Sequence, residues 1–165
     1  MTLKPNSSPA NVPDSSSGNR FSVPAIGQPT SAVHRLLLVL TGLVLISGLV
    51  VARCLTPDAN GFGTHRQLGL RECGFAKWLG VPCPSCGMTT AWAHLTRGQW
   101  IRAAECNLGG LLAGITAMLA GPWMLISGIR GRWLFAQPTI LAVFLLAMTT
   151  YLAILGQWLG RLWNF

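Results

Sequence analysis

Three long apolar runs constrain this chain more than any other feature. They cover 36–52, 108–129 and 139–159, and no Asp, Glu, Lys or Arg falls inside any of them. A helix rises about 1.5 Å per residue, so roughly 20 apolar residues cross a hydrocarbon core about 30 Å thick. The first run sits at the short limit and the other two are comfortably long. Lipid offers backbone N–H and C=O groups no partner, so each run must satisfy its own hydrogen bonds as a helix. Composition agrees. Charged residues make up 10% of the chain, against about 25% in soluble domains, and mean hydropathy is +0.48. The expected fold is all-α and integral to a membrane, with three transmembrane helices.

Residues 1–31 are rich in Ser, Pro and Asn and carry few large side chains. Such a stretch buries too little surface to offset chain entropy, so it reads as a disordered polar tail. Residues 32–165 read as a single membrane domain. More than 30 residues precede the first run, and no small-x-small cleavage site follows it, so it reads as an uncleaved span rather than a signal peptide. The second run holds Gly110-x-x-x-Gly114 and continues the small series through Ala113, Ala117 and Gly121. This spacing suits close helix packing, either within the chain or, through the Gly110/Gly114 face, with another membrane protein or a second copy. Pro122 is expected to kink this helix. Trp133 and Trp158 flank the third run as interfacial anchors.

The formal net charge is +8. The cations are scattered singly, with no run of four or more, which suits loops facing water and lipid headgroups and does not suit nucleic acid. Three spans place the tail and the 130–138 loop on one side of the bilayer. The short loop carries Arg130 and Arg132, which favours a multi-pass protein of the cell membrane with its N-terminus in the cytoplasm.

Segment 53–107, between the first two spans, holds the chemistry. Residues 54–82 read as loop; 84–96 and 99–106 read as short helices parted by Gly98. Trp78, Trp92 and Trp100 recur along it, as in a segment that lies in the interface or is partly re-entrant. Of five cysteines, Cys54, Cys73, Cys83, Cys86 and Cys106, an odd number cannot be a complete disulfide framework. In Cys83-Pro-Ser-Cys86, Pro84 suits the first helical position. Cys83 would then be the N-cap and Cys86 would lie in the first turn, where the helix dipole stabilises a thiolate.

Three readings of the cysteines stand open. Cys83 and Cys86 could exchange disulfides as a catalytic pair. Cys73, Cys83 and Cys86 could ligate Zn or Fe, with His65 or Cys106 as a fourth ligand; His94, eight residues beyond Cys86, lies about 12 Å up a helix. Or the cysteines staple and pack the segment, with no cofactor required. Cys86, Thr90 and His94 share a helix face that either lines a site or bonds internally. Asn107 and Glu105 are positioned to cap the second span. No phosphate-binding, zinc-protease or serine-hydrolase motif is present, so the reading leans away from an enzyme.

The stretch Cys83-Pro-Ser-Cys-Gly-Met-Thr-Thr-Ala-Trp92, a short helix and an Asn at the start of an apolar span resemble a bacterial membrane-protein family, domain of unknown function 2752. The resemblance runs from about Gly63 to Ile129 and includes Gly63-Thr-His-Arg-Gln-Leu-Gly-Leu70 and Arg-Glu-Cys73-Gly-Phe. It implies a membrane protein with Cys83, Cys86, Gly87 and Thr89 as core motif, beside Thr90, and it implies no reaction. Two positions depart from the family pattern: Leu108 follows Asn107 where Pro is usual, and Thr90 follows Thr89 where a basic residue is common. The combined expectation is a non-enzymatic membrane component or scaffold with a structurally important Cys cluster. The alternative is a thiol–disulfide redox or metal-binding membrane protein acting through Cys83 and Cys86.

Overall fold

The computed structural model describes residues 31–71, 73–135 and 137–163; the polar tail falls outside them except for Ser31. Three long helices match the apolar runs: α1 (Ala32–Cys54), α5 (Leu108–Arg130) and α6 (Ile140–Trp163). All three are long and apolar enough to cross a membrane. Among the described residues no strand occurs. Helix α1 overruns its apolar run at both ends and α6 at its C-terminal end, where helical hydrogen bonding continues into the polar flanks, whereas α5 nearly coincides with its run. Ser31 caps α1, its Oγ accepting from His34 N at 3.4 Å.

Helix α1 packs along α5, and the contact is made of glycine. A Cβ on Gly42 would stand 2.8 Å from Leu125 N and 2.9 Å from Gly121 O. One on Gly128 would stand 2.7 Å from Val39 Cγ2. Backbones this close gain dispersion contacts that lipid cannot supply. Gly110 and Gly114 do the same toward the Cys segment: they are buried against Met88, Ala91, Trp92 and Leu95. The Gly110/Gly114 face is thus filled by the chain's own residues. Helix α5 is continuous through Pro122.

Helix α6 has no buried residue, and Ile140 is 86% exposed. That surface suits lipid and would be costly in water. Its C-terminal half is latched to the rest. Gln157 Oε1 accepts from Leu108 N at 2.6 Å, and its amide donates to Ala104 O at 2.8 Å. Trp158 Nε1 donates to Pro82 O at 2.7 Å, and its ring meets Phe75 edge-on at 6.2 Å. Trp158 therefore anchors the Cys segment. Trp133 lies against Trp123, ring centres 5.6 Å apart.

The Cys segment is more helical than its composition predicts. Within 54–82 there is a 3-10 turn at Thr64–Leu68 and a short helix α2 (Gly74–Leu79). Beyond it come α3 (Met88–Leu95) and α4 (Trp100–Cys106). A small core of Ala91, Leu95, Ala103 and Cys106, with Leu111 and Ile115 against it, joins α3 and α4 to α5.

Three helix C-termini are closed by arginines from elsewhere in the chain. Arg97 donates to Arg53 O at 2.8 Å and Leu55 O at 2.7 Å at the end of α1. Arg35 donates to Gly128 O and Ile129 O, both at 3.3 Å, at the end of α5. Arg161 donates to Glu105 O at 3.1 Å and to Cys106 O at the end of α4. A cation there satisfies orphan carbonyls and opposes the negative end of the dipole. Arg97, one of the scattered cations expected to face water and lipid headgroups, is a structural cap. These contacts also fix the arrangement of ends: Arg35 and the 130–139 connection lie at one end of the helices, and the Cys segment at the other.

Candidate functional site

The local structure around Cys83-Pro-Ser-Cys86 differs from the sequence expectation. The helix begins at Met88 with Gly87 as N-cap, so Cys83 is not the cap and Cys86 lies one residue before it. Residues 83–87 form a turn, closed by Cys86 N to Cys83 O at 3.0 Å and Met88 N to Ser85 O at 3.2 Å. Gly87 decides this. Its φ is +90°, and a Cβ there would stand 2.5 Å from Cys106 O and 2.8 Å from Gly61 O. Only glycine combines that backbone with that approach. Pro84 therefore stiffens a turn rather than opening a helix.

Cys73, Cys83 and Cys86 nevertheless converge. Their three Sγ atoms lie within 4.8 Å of one another, and all three residues are half-buried. Cys73 comes from the start of α2; the other two come from the turn. Cys83 Sγ lies 3.2 Å from Cys86 Sγ and 3.3 Å from Ser85 Oγ, a hydrogen-bonding separation and not a covalent one. Burial pushes the Cys86 thiol from its ordinary 9.0 up to about 12, and its thiol neighbours Cys83 and Cys73 add to this. Burial likewise raises Cys106, against the lowering effect of Arg161. Cys54 is exposed at the end of α1, away from the cluster.

A cavity of about 250 Å³ opens beside the three sulfurs, lined also by His65, Thr89 and Thr90. His65 shares the cavity but is not one of the groups within the 4.8 Å cluster. Thr90 Oγ1 and Thr64 Oγ1 are 2.8 Å apart in a fully buried pair, and Thr64 Oγ1 accepts from Asp58 N at 3.0 Å. His94 Nδ1 meets Gln99 Oε1 at 2.6 Å. Cys86 precedes α3, so the expected helix face keeps only Thr90 and His94; both bond within the protein, and Thr90 also lines the cavity.

The residue whose role the sequence under-read is Asn107. As expected, it caps α5, its Oδ1 accepting from Gly110 N at 2.7 Å. Its amide also donates to Pro84 O and Cys86 O, both at 3.1 Å. One buried side chain thus clamps the cysteine turn onto a spanning helix. An Asn before an apolar run signals the cap; nothing local signals the second pair of bonds. Glu105 contributes its backbone carbonyl to Gln157 and Arg161, not a side-chain cap.

Fold and site together define a three-span membrane protein carrying a three-thiol cluster on the segment between its first two spans. Residues 73–121 match the model of the family described as protein of unknown function (DUF2752). The chain is thus similar to that family over less than a third of its length, from Cys73 through Gly121. The Gly63–Leu70 block lies outside the match, although Thr64 is bonded to the motif's Thr90. No curated protein and no solved structure is similar to the chain at a significant level.

Proposed function

We propose that this is a non-enzymatic membrane component whose water-facing segment is locked by one metal ion held on Cys73, Cys83 and Cys86. The observation that carries the reading is the convergence of three sulfurs, from two separate stretches, to within 4.8 Å. Tetrahedral zinc with Zn–S bonds of about 2.3 Å sets its sulfurs roughly 3.8 Å apart. The 3.2 Å between Cys83 and Cys86 sulfurs and the 4.8 Å limit bracket that value. Three thiolates leave a fourth position for His65, which lines the adjoining cavity, or for water. The ion would tie α2 to the turn before α3, and Asn107 would carry that constraint to α5.

Elemental analysis of the purified protein tests this. The expected content is about one zinc or iron per chain, lost in Cys83→Ser, with a lower unfolding midpoint after chelation. A metal-free preparation that keeps its midpoint overturns the reading.

A second reading, thiol–disulfide exchange through Cys83 and Cys86, is favoured by their 3.2 Å separation. Against it, neither sulfur lies within a helix N-terminal turn, where a thiolate is stabilised. Under this reading Cys86→Ser accumulates a mixed disulfide through Cys83, visible on non-reducing gels. Absence of that adduct removes it.

A further inference from the structure

A second, larger cavity of about 1540 Å³ lies at the same end of the helices. Ligand pockets for small molecules run to roughly 300–1,000 Å³ and enclose most of their ligand, so this one suits a larger, partly protruding guest. Its walls carry Arg66, Arg71, Lys77, Arg102 and Arg161 against two carboxylates, Asp58 and Glu105. Arg66 pairs with Asp58 at 3.7 Å, and Arg161 is engaged with the carbonyls ending α4. Arg71, Lys77 and Arg102 remain. They come from a loop, α2 and α4, and none of them pairs with a carboxylate of the described residues. Trp78 in the cavity wall is 87% exposed, and Leu70, Phe75 and Leu79, neighbours in the chain of residues that line it, are exposed as well. Exposed Trp and Leu next to cations, level with the ends of spanning helices, mark the depth of lipid headgroups.

We propose that this cavity binds the phosphate-bearing headgroup of an anionic phospholipid through Arg71, Lys77 and Arg102, its acyl chains leaving over the Trp78 surface into the bilayer. A basic pocket at the headgroup level between helix ends is the electrostatic arrangement that retains such lipids. The proposal needs no metal at the adjoining thiols, which share Cys73, Cys86 and His65 with this cavity, and rests on the membrane placement of the three spans, which carbonate extraction of membranes checks separately.

Native mass spectrometry of the full chain in neutral detergent tests it, using dioleoylphosphatidylglycerol, dioleoylphosphatidylcholine and inorganic phosphate as probes. Phosphatidylglycerol is expected to be retained over phosphatidylcholine. The triple variant Arg71→Gln/Lys77→Gln/Arg102→Gln should weaken retention on the order of a hundredfold, at roughly fivefold per charge. Arg130→Gln/Arg132→Gln, at the opposite end, should leave it unchanged, and circular dichroism should find both variants folded. Undiminished retention by the triple variant, or equal loss in the opposite-end variant, overturns the proposal. So does displacement of the lipid by millimolar phosphate, which would make this a site for a free anion.

Discussion

Asn107 shows how much one side chain can hold. Removing an N-cap costs about 1 kcal/mol, and each buried acceptor left unsatisfied costs a further 1–3 kcal/mol. Two acceptors, Pro84 O and Cys86 O, are lost with the cap, so Asn107→Ala should destabilise the protein by about 3–7 kcal/mol in a reversible detergent unfolding assay. Asn107→Asp keeps the cap oxygen but points acceptors at the carbonyls of Pro84 and Cys86. It should be nearly as damaging, and a neutral result would remove the clamp from the account. The Cys86 thiol gives a pH prediction for the metal-stripped chain. Its proton is held more tightly when folded, up to about 12 against an ordinary 9.0. The unfolded chain therefore binds fewer protons between those values, and stability falls as pH rises. The metal-free unfolding midpoint should be steady below pH 9 and decline from there toward 12, with the decline reduced in Cys86→Ser.

At the scale of elements, the contact between α1 and α5 depends on missing side chains. A Cβ at Gly42 meets backbone at 2.8 Å, whereas one at Gly156 on α6 meets nothing within 4 Å. Overpacking of a tight contact costs about 1–3 kcal/mol. Gly42→Leu should lower stability by at least that much, while Gly156→Leu should fall within about 0.5 kcal/mol of the parent, as open surface positions do. Equal effects in a side-by-side thermal scan would mean that this helix pair is not what holds the spans together.

Across the whole molecule, the cations divide between two ends. Arg35, Arg130 and Arg132 lie at one, and the Cys segment with its larger share lies at the other. We expect the N-terminal end to face the cytoplasm, because the short 130–138 loop weighs more in topology than a long segment does. A membrane-impermeant maleimide should then label the exposed Cys54 in intact cells, and should label a Ser31→Cys variant only after permeabilisation. The reverse pattern would invert the topology and place the thiol cluster in a reducing compartment.

The sequence by itself determined the number and position of the spans. Membrane insertion depends on apolar length and absence of charge, and both are local properties of 36–52, 108–129 and 139–159. The cap at Asn107 was legible for the same reason, and so was the close packing of the glycine series, but which surface fills that series was not: the spacing is local and the neighbour is not. What tertiary structure decided is where the Cys83–Cys86 turn ends and α3 begins. The local preference of Pro84 for a first helical turn gave way to Gly87, wedged at φ +90° against Cys106 O and Gly61 O. The gathering of Cys73 with Cys83 and Cys86, the Thr64–Thr90 pair and the arginine caps on α1, α4 and α5 were likewise beyond the sequence. Each joins residues far apart along the chain, and only packing of the segment onto the spanning helices brings such groups within bonding distance.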